Sequence, residues 1–413
     1  MEIRALLSSL WRSRTGPILV AAQVAVTLAV VVNVAYIVQQ RLSVLNADTG
    51  IDIPNIFWVT VAAQDPNYNF AAAVREDLAY LNGLPGVVAA STSNGPPQSW
   101  WMMGLPFGTT QEQLQQPSAV PARVFLGTEK YFDALGLKFA AGKPFDAGIV
   151  APPATGMNET IANWPAQVVV TQALADKLFP QGGALGKTIW VGLVNRPSTI
   201  VGIVEHMQGV PSMGSKLAEM QYQIVFAPII PAGPTAFYLV RTQPGKRDAV
   251  MARVEKEIAD LQPGNRFVQR IETLEKTAAQ TRFGMRSSVI ILSIVGVLVL
   301  AVTMIGVAGL AAFNVTTRTK QLGTRRAIGA TKFHILRYFM VENWFITTTG
   351  ALVGCVLALA AGVRLSTMFQ MPRLPLYYLV AGVIALWLLG LLAVLVPARR
   401  AASISPATAT RMV

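Results

Sequence analysis

Four uncharged apolar runs constrain this chain more than anything else in it: Pro17 to Val38, Val289 to Phe313, Trp344 to Val363 and Leu376 to Val396. Each has about 20 residues or more, the length a helix needs to cross a hydrocarbon core of about 30 Å, where every backbone polar group must find its partner internally. The runs predict four transmembrane helices. Composition agrees, since 53% hydrophobic against 13% charged residues is a balance that water-soluble domains rarely show. Arg4, Arg12 and Arg14 precede the first run. A cleaved signal also begins basic, but its apolar core is shorter and a small-residue site follows. Here the run passes into Tyr36-Ile-Val-Gln-Gln-Arg41 without such a site, which predicts a retained anchor.

The net charge of +13 suggests nucleic acid as a partner until its distribution is considered. Gln39 to Ser288 holds about 20 basic and about 19 acidic residues, so nearly all the excess flanks the apolar runs. Residues 314–343 carry Arg318, Lys320, Arg325, Arg326, Lys332 and Arg337, and the tail 397–413 carries Arg399, Arg400 and Arg411. The link 364–375 has only Arg364 and Arg373. The positive-inside rule therefore puts 1–16, 314–343 and 397–413 on the cytoplasmic side, each basic residue adding on the order of 1 kcal/mol. Spans at 17–38, 289–313, 344–363 and 376–396 then leave 39–288 outside as one large domain, with membrane lipid and not nucleic acid facing the cations. The only cysteine, Cys355, lies within a span, and His206 and His334 stand alone without an HExxH or Cys/His cluster. The pattern predicts neither an intrachain disulfide nor a bound metal.

Within 39–288, Asn55 to Val61 is a strand by its alternation, Phe70 to Leu81 a helix and Val87 to Thr92 a second strand. The same order recurs late, with a strand at Ala236 to Arg241, a helix at Lys246 to Leu261 closed by Pro263-Gly264, and a strand at Arg266 to Ile271. Two such βαβ units predict one ferredoxin-like sheet. Between them, about 95–234, lies a Pro/Gly-rich insertion predicted to be a β-rich subdomain. Its signals are strands at Gln167 to Thr171 and Thr199 to Val204 around a helix at Gln172 to Leu178, with loops near Pro96-Pro97 and from Gly148 to Pro165. Trp100, Trp101 and Phe107 form an aromatic cluster read as loop packing, with a ligand or partner contact as the alternative. The expected fold is thus an α-helical membrane protein with four spans and a large α+β extracytoplasmic domain.

The cytoplasmic segment from Arg318 to Glu342 reads RTKQLGTRRAIGATKFHILRYFMVE. On composition alone it could be a basic amphipathic stretch lying on lipid headgroups. Its Leu322, Gly323, Arg326, Ala327, Gly329, Ala330 and Glu342 fit the pattern R-x-x-E-I-G-x-x-R-A-x-G-A followed by an apolar run and a Glu, and so resemble the cytoplasmic loop of MacB/FtsX-like ABC transporter permeases. Gln321 stands where that pattern has an acidic residue. A second stretch is similar to the periplasmic core domain of MacB-like proteins: Gly127 to Phe145, Val168 to Phe179, Leu185-Gly-Lys187 and Ile200 to Val204.

The resemblance implies a function. It makes the chain a non-catalytic permease subunit in a bacterial inner membrane, four-pass with both termini cytoplasmic and the domain periplasmic. Leu322, Gly323, Arg325, Arg326, Ala327, Gly329, Ala330 and Glu342 would then couple it to an ATPase, through small residues that allow close approach and arginines that meet acidic groups or lipid phosphate. No G-x-x-x-x-G-K-[ST] loop occurs in the sequence, so ATP and Mg are expected in a separate ABC ATPase partner and no cofactor on this chain. Four spans also imply a second permease chain, identical or different; a periplasmic adaptor and an outer-membrane channel are further partners the resemblance allows. Gly350, Gly354, Ala358 and Gly362 recur every four residues and predict a close helix contact, within the chain or across a dimer. Asn33, Glu342 and Asn343 are polar groups at or near the bilayer, the last two read as solvated at the interface. The expected activity is efflux or mechanotransmission, with an antibiotic, peptide or lipid-linked cargo. The alternatives are an FtsX-like regulatory subunit acting on a cell-wall hydrolase or sensor, and a membrane-anchored interaction protein without an ATPase.

Overall fold

A computed structural model describes residues 15–65, 68, 70–99, 103–146, 151–154, 156–212, 215–231, 235–261, 266–369 and 372–403. Arg4, Arg12, Arg14, Trp100, Trp101, Pro263-Gly264 and Arg411 lie outside the described residues, as do the side chains of Lys320, Gln321, Arg325 and Arg326. The chain divides into two compact units, Met1–Ser43 with Arg286–Val413, and Val44–Met285.

In chain order, helix α1 (Thr15–Leu45) is followed by β1 (Ile56–Ala63), α2 (Phe70–Gly83) and β2 (Val87–Thr92). Then come β3 (Met103–Gly108), β4 (Val120–Leu126), α3 (Tyr131–Leu135), β5 (Phe139–Gly142), β6 (Ala151–Ala154), α4 (Met157–Ala162), β7 (Gln167–Thr171), α5 (Gln172–Leu178), β8 (Thr188–Val191), β9 (Arg196–Val204), α6 (Ser215–Met220), β10 (Ile224–Ala227) and β11 (Ile229–Pro231). The chain closes with β12 (Thr235–Thr242), α7 (Arg247–Glu257), β13 (Arg266–Thr273), α8 (Leu274–Thr317), α9 (Thr319–Ala327), α10 (Lys332–Phe369) and α11 (Leu376–Ser403).

The two βαβ units do build one antiparallel sheet, in the order β13-β1-β12-β2. That is the ferredoxin-like arrangement, in which each unit's second strand is kept apart from its first by a strand of the other unit. Side chains alternate across it. Phe57, Val59 and Val61 pack with Tyr238 and Val240 against Phe70, Val74 and Leu81 of α2 and Val250 and Val254 of α7. Fully burying a side chain of this size contributes about 1.5–3 kcal/mol. A buried clamp sits under α2: Arg266 donates to Asp77 at 2.7 and 3.1 Å, and the Tyr238 hydroxyl donates to the same carboxylate at 2.5 Å. Both charged side chains are fully buried. Burial, and then the charge of Asp77, push the Tyr238 hydroxyl well above its ordinary pKa.

The insertion is a closed barrel. Its strands run β9-β7-β10-β4-β3-β8, and β8 pairs back onto β9, with β5 added outside β9. Alternation fills it: Val124, Val168, Val170 and Val225 belong to the inner core, while Phe125, Val169, Ile224 and Phe226 point out. The outward set packs on Ile56, Trp58 and Leu239 from the other face of the ferredoxin-like sheet, with Tyr131 and Phe132 of α3 between. Two loop readings are corrected. Phe107 is buried in the barrel core on β3, because its strand neighbours β4 and β8 enclose it. Within Gly148 to Pro165, β6 and α4 are regular elements; β6 pairs parallel with β11 in a two-stranded ribbon, where every strand is an edge and proline is tolerated.

In the other unit, four helices are long and apolar enough to cross a membrane: Gly16–Leu45, Leu274–Thr317, Lys332–Met368 and Leu376–Ser403. Val20, Val24, Leu28, Val32 and Tyr36 form the inward stripe of α1 at four-residue spacing. Two buried polar side chains on α1 have partners. Thr27 and Thr303 share a hydroxyl hydrogen bond at 2.6 Å, and Asn33 donates to Ala29 O at 2.8 Å and Ala358 O at 3.1 Å.

Candidate functional site

The segment between the second and third spans is helical almost throughout. Thr317 at the end of α8 and Thr319 at the start of α9 turn their hydroxyls back on the carbonyls of Phe313 and Val315 at 3.0 Å each, the back-bonding that bends helices, and the chain breaks at Arg318. Helix α9 follows and ends at Ala327, and the turn after it runs through Gly329, whose φ of +100° is left-handed backbone that a side chain would strain. Thr331 then caps α10, its Oγ1 accepting from the His334 amide at 3.3 Å. Leu322 of α9 and Ile335 and Phe339 of α10 turn inward and are buried. The result is a helical corner.

One ion pair ties it together. Arg318 Nη1 donates to Glu342 at 3.1 and 3.4 Å and lies 3.3 Å from the Tyr338 hydroxyl. The Glu342 side chain is 4% exposed and that of Arg318 18%. The reading of Glu342 and Asn343 as solvated is therefore corrected: both are buried, Glu342 because Arg318 reaches it from 24 positions earlier in the chain. The enclosure around them includes Val20, Phe339, Ile346 and Val394.

The coupling residues expected from sequence separate into two sets. Leu322, Gly323 and Glu342 are buried and support the corner from within; Ala327 and Gly329 are exposed and Ala330 is half-buried. Arg325 and Arg326 lie on α9, in a stretch whose net charge is strongly basic. Sequence reasoning passed over Ile328 and Phe333, which flank the turn and stand 82% and 67% exposed. A usable signal was present, because an apolar residue on each side of a Gly-Ala-Thr turn falls outside the helical period of either helix. They are two exposed apolar side chains in a stretch of sequence rich in basic residues.

The small-residue face of α10 packs on α1 of the same chain. A Cβ on Gly350 would come within 2.5 Å of Ala21 O, and one on Gly354 within 2.9 Å of Ala25 O and 3.0 Å of Ala25 Cα. Ala358 is fully buried and its carbonyl takes the Asn33 amide. Gly362 lies against Asn33 and Leu374. No group of three or more His, Cys, Asp or Glu side chains among the described residues could hold a metal ion.

A two-part α+β domain threaded between the first and second of four apolar helices, with a basic helical corner after the second, defines an integral membrane protein of the permease class. The family model for the MacB-like periplasmic core domain matches residues 18–257, and that for the FtsX-like permease C-terminal region matches 293–406. The chain belongs to the family of the MacB-like periplasmic core domain, joined here to an FtsX-like permease region. A Bacillus subtilis protein named as an uncharacterized ABC transporter permease, YknZ, is 25% identical over 358 residues, covering 84% of this chain and 82% of YknZ. The macrolide export ATP-binding/permease protein MacB of Neisseria gonorrhoeae is 29% identical over 235 residues, 56% of this chain and 34% of MacB. The probable syringafactin export ATP-binding/permease protein SyfD of Pseudomonas syringae pv. syringae is 27% identical over 294 residues, 70% of this chain and 42% of SyfD. The chain thus spans well under half the length of these ATP-binding relatives. The crystal structure of the YknZ extracellular domain aligns over 52% of this chain and 100% of its own at 14% identity, with a TM-score of 0.31.

Proposed function

We propose that this chain is the permease subunit of a MacB-type ABC transporter. In this reading the helical corner docks on a separate ABC ATPase, which binds ATP and Mg, and hydrolysis there moves the spans and the extracytoplasmic domain. Both termini and the corner face the cytoplasm of a bacterial inner membrane, and a second permease chain completes the assembly. The cargo is an antibiotic, peptide or lipid-linked molecule, passed on through an adaptor and an outer-membrane channel where those are present.

The exposed pair Ile328 and Phe333, on a corner braced by Arg318 and Glu342, supports this reading best. Apolar side chains that size at the tip of a basic turn gain nothing from water, whereas a partner's groove would bury both, with the surrounding cations meeting acidic groups. Each contributes about 1.5–3 kcal/mol if fully buried, so losing one weakens docking by about tenfold or more. The test is affinity purification of the full chain from its native membrane. An ABC ATPase should co-purify with the unaltered chain and with Leu193→Asp, a change at an exposed site in the other unit, but not with Ile328→Asp or Phe333→Asp. Recovery of the ATPase with all four chains sinks the docking assignment.

A further inference from the structure

The inner face of the ferredoxin-like sheet is only partly covered by the barrel. Beyond Ile56 and Leu239 it opens onto a cleft of about 1040 Å³. The register builds the floor of that cleft. Thr60 on the central strand β1 stands opposite Arg270 of β13 on one side and Phe237 of β12 on the other. Trp58, two residues back on the same face, is the diagonal neighbour of both. Its ring stacks on Phe237 with centroids 5.2 Å apart and planes at 22°, and the Arg270 guanidinium lies 5.2 Å from its centroid. A short threonine flanked by the half-buried Phe237 and by Arg270, both resting on the buried Trp58, leaves a slot with a cation along one edge.

The platform is held in place. Trp58 Nε1 donates to Thr277 Oγ1 at 2.8 Å, and Thr277 donates on to Glu272 at 3.2 Å. Glu272 is 5% exposed and also takes Arg270 and Lys276, each at 3.0 Å. Burial alone would raise its pKa, but the hydrogen bond from Lys276 and the charge of Arg270 outweigh it and hold the carboxyl below its usual range. The carboxylate is thus fully engaged, whereas the Arg270 side chain lines the cleft and remains 55% exposed. Arg270 and Glu272 are the charged residues among the described ones that line it, and because Lys276 also pairs with Glu272 the carboxylate does not depend on Arg270 alone for its counter-charge.

We infer that this cleft is a binding site for a small amphipathic anion, its apolar part in the slot between Phe237 and Thr60 and its acidic group on Arg270. Aromatic faces prefer offset stacking on an existing stack, and a planar guanidinium takes a carboxylate, sulfonate or phosphate through paired donors. A site whose side chains are already fixed loses little freedom when the ligand arrives. The inference does not depend on transport, since it concerns recognition by the domain alone.

The test uses the full chain in lipid nanodiscs and 2-naphthalenesulfonate as probe, read by saturation-transfer NMR against empty nanodiscs. The probe should bind the unaltered chain, about tenfold more weakly after Arg270→Gln, and not at all after Thr60→Trp, which fills the slot. If Thr60→Trp fails to fold by thermal unfolding, Thr281→Trp at the cleft wall takes its place. The cation 2-naphthylmethylammonium, with the same ring, should bind about tenfold more weakly than the sulfonate. Binding no greater than to empty nanodiscs, binding unchanged by both substitutions, or equal binding of the two probes would each overturn the site as described.

Discussion

Removing Arg318 should damage the corner far more than removing Glu342, although the two form one ion pair. The reason is where each side chain lies. Glu342 is 4% exposed and enclosed by Val20, Phe339, Ile346 and Val394, so Arg318→Ala leaves a carboxylate without a counter-ion among apolar groups. Breaking a buried pair this way costs about 3–5 kcal/mol, part of which the group escapes by taking up a proton. Arg318 is 18% exposed, at the end of α8, with the Tyr338 hydroxyl 3.3 Å away. After Glu342→Gln its long stem lets the guanidinium reach water, and the amide can still accept from it, so a cost of about 1 kcal/mol is expected. Arg318→Leu with Glu342→Leu removes both charges and should recover most of the loss. Thermal unfolding of the full chain in nanodiscs, with each variant compared at one protein concentration, gives the order directly. Equal destabilisation by the two single changes, or a double variant worse than Arg318→Ala, would refute the buried-carboxylate argument.

Four further outcomes follow from the same structure. Asp77→Ala strands Arg266 and the Tyr238 hydroxyl in a fully buried site and should cost about 3–5 kcal/mol in chemical unfolding of the extracytoplasmic unit, read in the full chain by its intrinsic fluorescence. Gly354→Leu forces α1 and α10 apart, because the first added atom meets Ala25 backbone at 2.9 Å; it should lower thermal stability by about 1–3 kcal/mol or more. Gly309→Ala, with open space around it, should be neutral or stabilising by about 0.5–1 kcal/mol. Glu272 is more acidic folded than unfolded, so the unfolded chain binds more protons just below pH 4.5; its contribution is present above that value and lost as pH falls through the lowered folded pKa. Thermal midpoints measured from pH 6 to pH 3 should therefore fall less steeply for Glu272→Gln than for the unaltered chain, and parallel curves would contradict the assignment.

The spans were legible because a hydrocarbon core demands uncharged length, but that demand marks only the part of a helix that sits in lipid. Helix α8 begins at Leu274, well before its apolar run, and α10 begins at Lys332. The ferredoxin-like sheet was legible from two βαβ units, whose helices cover one face and leave a clear period. The barrel was harder. Val168, Val169 and Val170 are all fully buried, as are Ile224 and Val225, so strands enclosed on both sides show no alternation, and ring closure between β8 and β9 depends on strands distant in sequence. Proline-rich β6 looks like a loop unless its place in an isolated ribbon is known. At the site, the small residues and the basic charge were visible. The burial of Glu342 was not, because it depends on Arg318 folding back, and the Trp58-Phe237-Arg270 platform needs a strand register that no local pattern supplies.

The claim that matters most is that the corner carries ATP-driven movement to the domain outside. Hydrogen exchange across residues 44–285, measured in nanodiscs on the chain in complex with the ABC ATPase proposed as its partner, with and without ATP, tests it directly. The account predicts that ATP changes protection in that unit of the unaltered chain and that Phe333→Asp abolishes the change. Protection indifferent to ATP in the unaltered chain, or an undiminished response in Phe333→Asp, would contradict it.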